Sequence, residues 1–424
     1  MMRILILGSG GRESAFSWKL SQEISKENVF IAPGNAGTMA YGTNVDLPIT
    51  NFKAIADFCI ENHIQFILPG GEDSLVAGIR NYFESQSHLS PIYVFGPDQT
   101  GAMLEGSKEF AKKFMFKYGI PTAKYRSFVK GEEAEAKAFL RTMKPPYVIK
   151  ADGLAAGKGV VIPHTIIEAE HWVDEMLTKN QFGEASHTIV IEEFLKGIEV
   201  SFFAITDGKD YIMMPEAKDY KRIGEGDTGP NTGGMGAVSP VSFVDNDFKN
   251  KVINQVVKPT MKGLQEESFS YRGFVFFGLI NVDGNPFVIE YNCRMGDPET
   301  EVVLPRLKNN FSEIISKAQN GTFHEITPDI DERFCTTVVL VSEGYPGDYQ
   351  KGKPIAIGAT ENSLIFHSGT KINQGQLQTN GGRVMAVTSY GNNMQQALNN
   401  SYQSIKHIQF EGMNFRKDIG QDLK

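Results

Sequence analysis

Four short apolar runs in the first hundred residues, RILIL, NVFIA, IQFILP and PIYVFG, each end in a turn-rich segment. Helix-like stretches around 13–24, 51–62 and 73–85 separate them. Strands that alternate with helical patterns in this way form βαβ units, because parallel neighbours need a long crossover. The pattern predicts a parallel, open α/β sheet for residues 1–104. The segments that close the strands are GSGGRE, APGNAG, PGGED and GPD. Ligands of open α/β sheets bind outside the carboxyl ends of the strands, so these turns are expected to line a site. A dinucleotide site fails at two points. Gly8 and Gly10 fit G-x-G-x-x-G, but Glu13 stands at the third glycine, and Pro33 and Gly34 follow the second strand where an acid is needed. A glycine turn feeding a helix N-terminus still offers backbone N–H groups to a single phosphate.

Beyond residue 104 the pattern changes. A helix is predicted over 107–118, SKEFAKKFMFKY, stopped by Gly119 and Pro121. The strand YVIK follows, then a helix at 165–178 with Ile166, Ala169, Val173 and Leu177 on one face, then the strand TIVIEEF. Two hairpins turn at Asp207–Gly208 and Asp283–Gly284. After about 325, further strands and a helix near 395–407 predict a small closing domain. The expected class is a multidomain α/β and α+β chain: a parallel N-terminal domain (1–104), a mixed central domain (105–325) and a small mixed α+β domain (326–424).

Several functions are excluded early. No apolar run approaches the ~18 residues of a membrane span, and the N-terminal apolar run is too short for a signal peptide. A cytoplasmic protein is expected. The net charge of -8, with no Lys/Arg-rich block, argues against nucleic acid. Cys59, Cys293 and Cys335 have no paired spacing, so neither disulfides nor a zinc site is implied. No Ser/His/Asp, CxxC or HExxH pattern supports covalent or zinc chemistry, and His63, His164 and the other histidines read as structural.

VIKADGLAAGKGVVI (148–162) looks like a P-loop but lacks its spacing and its Ser or Thr after the lysine. In PFVIEYNCRMGDPET, alternation along a strand puts Glu290, Asn292 and Arg294 on one face and Ile289, Tyr291 and Cys293 on the other. A carboxylate and an amide oxygen so spaced suit a hard cation such as magnesium, and Arg294 suits a phosphoryl or carboxylate group. Read alone, the pattern is equally the polar face of a surface hairpin. DYKRIGEGDTGPNTGGMGAVSP (219–240) reads as a solvated loop or as a binding lid, with Lys221 or Arg222 over a charged ligand. TIVIEEFLKGIEV is either a buried strand with exposed acids or an edge for adenine with a carboxylate for ribose. Lys108 and Lys112 read as solvated charges on their helix.

Together, GSGGRE (8–13), APGNAG (32–37), LEGSK (104–108), IPTA (120–123), VIKADGLAAGKGV (148–160), IEEFLKGIEVSF (191–202), DTGPNTGGMGAVSP (227–240), IEYNCRMGDPET (289–300) and FRKDIG (415–420) resemble the ATP-grasp ligases over nearly the whole chain. DTGPNTGGMGA combined with EYNCRMGDPET resembles, specifically, the branch that joins glycine to 5-phosphoribosylamine in de novo purine biosynthesis. The resemblance implies a central ATP-grasp domain with a lid at about 122–194, ATP as co-substrate, and Mg2+ or Mn2+. It implies a reaction through glycyl phosphate that needs no protein nucleophile. Lys150 and Arg294 would be catalytic. Lys108, Lys150 and the flap residues Gly153, Gly157, Lys158 and Gly159 would hold ATP phosphates. Glu192, Glu193, Phe194 and Leu195 would frame adenine, Glu199 would take ribose, and Glu290 and Asn292 would hold the metal. The substrates would lie at Gly8, Gly10, Gly11, Arg12 and Glu13, with the ribose phosphate near this turn and near Gly34, Asn35 and Gly37. Glu72, Asp219, Asn231, Thr232, Gly233, Arg294 and Asp297 would complete the site. One departure is Gly71, where the family more usually has proline. The implied partners are small molecules only, with no nucleic acid and no membrane, and a stand-alone monomer is expected with a weak dimer as the alternative.

Overall fold

The computed structural model describes residues 2–155, 159–267, 269–360 and 362–423. Its N-terminal sheet is parallel throughout, in the order Thr43–Asn44, Val29–Pro33, Ile4–Gly8, Phe66–Pro69, Tyr93–Val94. The first strand lies in the middle, with Ile4 to Leu7 buried. The chain winds outward to one side of this strand and then to the other, which creates a crevice at its carboxyl end. Gly8 (φ +139°) turns there into the helix Gly11–Ser21. The helix expected at 73–85 is two helices, Glu72–Val76 and Ile79–Glu84, because Gly78 adopts φ +86° between them.

A small antiparallel sheet follows, in the order Tyr125–Val129, Thr188–Glu193, Tyr147–Ala151, Val160–Val161. It has its own apolar core, in which Phe128, Leu140, Ile149 and Ile189 meet Ala169, Val173 and Leu177. The helix expected at 165–178 is capped by a reciprocal Thr165–Glu168 box and is regular only over Ile166–Val173. It continues as a wider π turn, Asp174–Thr178.

The central sheet runs Tyr211–Met213, Ile198–Thr206, Gly273–Val282, Asn285–Asn292. Its last hairpin turns through Asp283 (φ 49°) and Gly284 (φ 78°), the two left-handed residues a two-residue turn needs. Gly278 pairs with Glu290 but Leu279 pairs with Val288, so Ile289 is an extra, unpaired residue. This bulge corrects the expected alternation. Val288, Tyr291 and Cys293 enter the core, while Ile289 stands outside it beside Glu290.

The stretch 219–240 is not an open loop. Arg222–Gly224 pairs with Thr228–Asn231. Gly236–Ser239 lies in a five-stranded sheet between Lys218–Asp219 and Phe334–Val341, with Arg383–Gly391 and Leu364–His367 beyond. Composition hid this pairing because the ladder uses backbone groups. At Gly236 a Cβ would stand 2.7 Å from the Thr337 carbonyl oxygen, so the strand needs glycine there. The helix Met394–Ile405 packs on this sheet through Ala397, Leu398 and Ser401. Cys59, Cys293 and Cys335 are free and buried. Among the described residues no helix is long and apolar enough to cross a membrane.

Candidate active site

The helix Lys108–Lys117, the strand Tyr147–Ala151 and the strand Asn285–Asn292 converge on a cavity of about 180 Å³. Its wall brings together Lys108, Lys150, Gly159, Glu192, Glu290, Asn292, Arg294 and Glu72, and adds Glu105 and Lys112. Glu192 is buried and ion-paired with Lys150 and with Lys112, each at 3.0 Å. Burial opposes its ionisation, but the two ammonium groups outweigh that and hold its carboxyl below the usual range. Glu192 is therefore a counter-ion between two lysines on the cavity wall. Lys112 also donates to Thr122 Oγ1 at 2.7 Å, and burial pushes it down to about 8. Neither lysine on this helix is a solvated charge: burial lowers Lys108 as well. The four-residue spacing of Lys108 and Lys112, one face of a helix, was a signal in the sequence that went unused.

Lys108 serves the root of the glycine-rich stretch. Its ammonium donates to Gly153 O at 3.2 Å, and the Asp152 carboxylate accepts from Ser107 Oγ and, at 2.6 Å, from the Glu109 N–H. An acid over the first turn suits the positive end of a helix. Gly153 lies so close to Ala185 that a Cβ would stand 2.9 Å from its Cα. Gly157 and Lys158 fall outside the described residues. Glu193 accepts from the Lys124 N–H at 2.9 Å, Phe194 is 41% exposed and Leu195 is half-buried, and none of the three lines the cavity. Glu199 is paired with Lys221 at 2.7 Å, and that ammonium lowers its carboxyl. Burial raises Asp219 nearby, against the pull of Lys221.

Arg294 is clamped rather than free. Its Nε donates to Glu72 at 3.0 Å and its Nη2 pairs with Glu105 at 2.6 Å. Burial works against the guanidinium, and these carboxylates more than offset it, so its proton is held tightly. Glu105 also accepts from the Cys293 N–H at 2.8 Å, which ties this arginine to the end of the strand Asn285–Asn292. Glu105 was passed over in the sequence, although it sits in LEGSK three residues before Lys108.

The turn after Ile4–Gly8 has its amides already engaged. Gly10 N–H donates to Glu13 Oε2 at 2.6 Å, Gly11 N–H to Ser368 Oγ at 3.1 Å, and Arg12 N–H makes a long 3.5 Å contact to Asp297 Oδ2. A phosphate at Gly8–Gly11 has to displace the Glu13 carboxylate from the Gly10 N–H and the Ser368 hydroxyl from the Gly11 N–H. Arg12 itself donates to Glu13 at 2.7 Å and to Met295 O at 3.0 Å. Asn35 braces the neighbouring turn: its amide donates to Ser9 O and His367 O, and its oxygen accepts from the Gly37 N–H. Gly34 has φ +71°, and Gly37 packs against the His367 ring. Thr232 Oγ1 donates to Lys221 O, while Gly233 O accepts from Arg383, which also pairs with Asp297 at 3.0 Å. Asn231 stands apart, lining a second, wider cavity of about 500 Å³ with Arg222 and with Ile162 and Trp172 of the small antiparallel sheet unit.

Burial lowers His367 to about 4 from its ordinary 6.5, so it is neutral in the fold. Its contribution to stability is present above about 6.5 and lost as the pH falls through about 4. His367→Gln is expected to flatten that part of the acid limb. Thermal midpoints of both proteins from pH 7 to pH 4 check this, and parallel curves would exclude the histidine.

The side chains of Glu290 and Asn292 make no hydrogen bond to any described residue, and both face the cavity. Two free oxygen donors of this kind fit a hard divalent cation. Among the described residues no group of three His, Cys, Asp or Glu is assembled to hold a metal. The pair suits an ion that completes its shell with phosphate and water.

Comparison with known proteins agrees with this architecture. Residues 2–105 match the N domain of phosphoribosylglycinamide synthetase, 106–300 its ATP-grasp (A) domain and 335–422 its C domain. A phosphoribosylamine–glycine ligase of Yersinia pestis is 44% identical, over 99% of this chain and 98% of the relative. The crystal structure of the Thermotoga maritima phosphoribosylamine–glycine ligase superposes with a TM-score of 0.86 at 36% identity, over 98% of this chain and all of that one. The biotin carboxylase domain of a Hydrogenobacter thermophilus 2-oxoglutarate carboxylase shares the fold alone, with a TM-score of 0.74 at 15% identity over 100% of this chain and 96% of that one. Matched by three successive domain models and by full-length relatives, the chain belongs to the phosphoribosylglycinamide synthetase family.

Proposed function

We propose that the chain ligates glycine to 5-phosphoribosylamine at the expense of ATP, giving glycinamide ribonucleotide, ADP and phosphate in purine biosynthesis. The observation that carries this reading is the cavity in which Lys108, Lys112 and Lys150 face the free oxygens of Glu290 and Asn292. Cations on one wall and metal-binding oxygens on the other suit a nucleoside triphosphate with its divalent ion. The glycine carboxylate takes the γ-phosphoryl group, and the amine then attacks the acyl carbon. A C–N bond forms, the C–O bond to phosphate breaks, and the amine loses a proton. Lys150 and Lys108 neutralise charge on the transferring group. Arg294, held by Glu72 and Glu105, keeps its guanidinium beside the reacting carboxyl. Glu290 and Asn292 would hold Mg2+ or Mn2+, whose positive charge would offset the negative charge of the phosphate groups.

The acids Glu13, Asp297 and Glu72 at the N-terminal turn suit ribose hydroxyls and an amine better than a phosphate of their own charge sign. Asp219, Thr232 and Gly233 close the site from the central domain, and the glycine-rich stretch after Lys150 with the unit at about 122–194 excludes water. Glu199, with Phe194 and Leu195, is kept for the nucleoside in this reading. The domain limits 1–104, 105–325 and 326–424 are part of this reading. The groups named for it lie in one chain, which suits a monomer, and a cytoplasmic location is part of the same reading.

The test is ADP release with ATP and magnesium, adding glycine and fresh 5-phosphoribosylamine singly and together. Turnover that needs both is the expected result, and release that needs neither or only one refutes the reading. Glu290→Ala is expected to raise the magnesium needed for half-maximal rate about tenfold or more, the scale for losing one of few metal-binding groups. An unaltered magnesium titration removes Glu290 from the metal site.

A further inference from the structure

The helix Thr300–Arg306 carries a carboxyl group that nothing above uses. Glu301 is 1% exposed, and neither of its oxygens meets a hydrogen-bond donor among the described residues. Its place is specific. A Cβ on Gly11 would collide with Glu301 Oε1, and a Cβ on Gly10 would stand 2.8 Å from Asp297 Oδ2. The two carboxyl groups therefore lie over the same Gly10–Gly11 peptide, at the crevice end of the first strand.

The surroundings of the two acids differ. Asp297 has the Arg383 guanidinium at 3.0 Å and the Arg12 N–H at 3.5 Å. Glu301 has no donor. The Arg383 guanidinium acts on Glu301 as well, in the lowering direction, without outweighing burial and Asp297; Glu13 is bonded to Arg12, and Glu299 to Ser201. A buried carboxylate without a donor is costly, and a second anion beside it adds repulsion. One proton on Glu301 removes both costs, because the neutral carboxyl becomes a donor to Asp297. The electrostatics agree: burial and the Asp297 charge push Glu301 well above the usual range. Asp297 sits below its own, since Arg383 and Arg12 outweigh its burial.

We propose that Glu301 serves as a neutral carboxyl whose proton is donated in a hydrogen bond to Asp297, fixing the ionised Asp297 against the Gly10–Arg12 turn. Glu301 is then a positioning residue that touches no substrate and acts through Asp297. Its role in turnover rests on the proposed function, which puts the amine substrate at this turn.

Two variants separate the proton from the side chain. Glu301→Gln keeps an N–H donor at similar reach, and Glu301→Met keeps the length with no donor. In the ADP-release assay, Gln is expected to keep kcat/KM for 5-phosphoribosylamine within about threefold. Met is expected to lower it roughly 10–100-fold, the scale for losing a hydrogen bond to a charged group. KM for ATP stays unchanged in both. Gln falling as far as Met, or Met matching the wild type, overturns the proposal.

A second readout needs no turnover. A carboxyl raised in the fold gives stability that is complete below its unfolded value of about 4.5 and is lost as the pH rises toward its folded value. The wild-type thermal midpoint is therefore expected to fall relative to that of Glu301→Gln between pH 4.5 and pH 8. Curves that run parallel over this range overturn the proposal. A wild type that releases no ADP with both substrates sinks the proposed function alone, and the pH curves still decide this inference.

Discussion

Lys150→Met is expected to lower turnover roughly 10²–10³-fold, the scale for removing one preorganised charge from a transition state. Methionine keeps the length of the side chain and its burial at the end of Tyr147–Ala151, so the strand and its apolar neighbours stay in place. Glu192 keeps Lys112 as a partner, which limits the damage to the fold. The loss should therefore appear in kcat, with KM for ATP moving less, because in the proposed function Lys108 and the Glu290–Asn292 pair keep their hold on the triphosphate and its ion. Steady-state ADP release with both substrates, beside thermal unfolding, separates the two effects. Wild-type turnover in a folded variant takes Lys150 out of the chemistry.

Glu192→Ala is expected to act on stability first. It strands Lys112 and Lys150 in a site where side-chain exposure is 2% and 7%. Removing one partner of a buried ion pair costs about 3–5 kcal/mol, because the remaining charge keeps its desolvation and loses its compensation. Urea denaturation should show that loss. Adding Lys112→Met to Glu192→Ala should recover part of it, since the double variant buries one charge fewer. Lys112→Met alone should be milder, because Glu192 keeps Lys150 as a partner at 3.0 Å. If Glu192→Ala is as stable as the wild type, the three groups are not an energetic unit.

How legible was this in the sequence? The parallel N-terminal sheet was plain, because Ile4 to Leu7, Val29 to Ala32 and Phe66 to Leu68 are apolar runs buried on both faces. That Glu290 and Asn292 share one cavity wall was legible too, but the reasoning behind it was only half right. Plain alternation would group Ile289 with Tyr291, and the bulge that separates them leaves no mark in residue type. The strand Gly236–Ser239 was hidden for a different reason: its partners lie about a hundred residues away, and a glycine-rich ladder has no apolar period. Charge states were the least legible. Lys112 and Glu192 looked like surface charges in their local windows, and burial against one another came from three separate elements. Glu301 reads as an ordinary helical acid until Asp297 and Gly11 are brought beside it.

The pairing of Gly236–Ser239 with Phe334–Val341 bears on how the chain is made. Ser239 waits for Cys335, its opposite residue, through about a hundred residues of synthesis. At about 5–20 residues per second on the ribosome, that is a delay of roughly 5–20 s. Throughout it the central domain carries an unmatched strand, with Val238 and the backbone edge beside it uncovered. The last hundred residues therefore complete the middle of the protein as well as forming its end. A nascent chain halted before Phe334 is expected to be the form that chaperones hold.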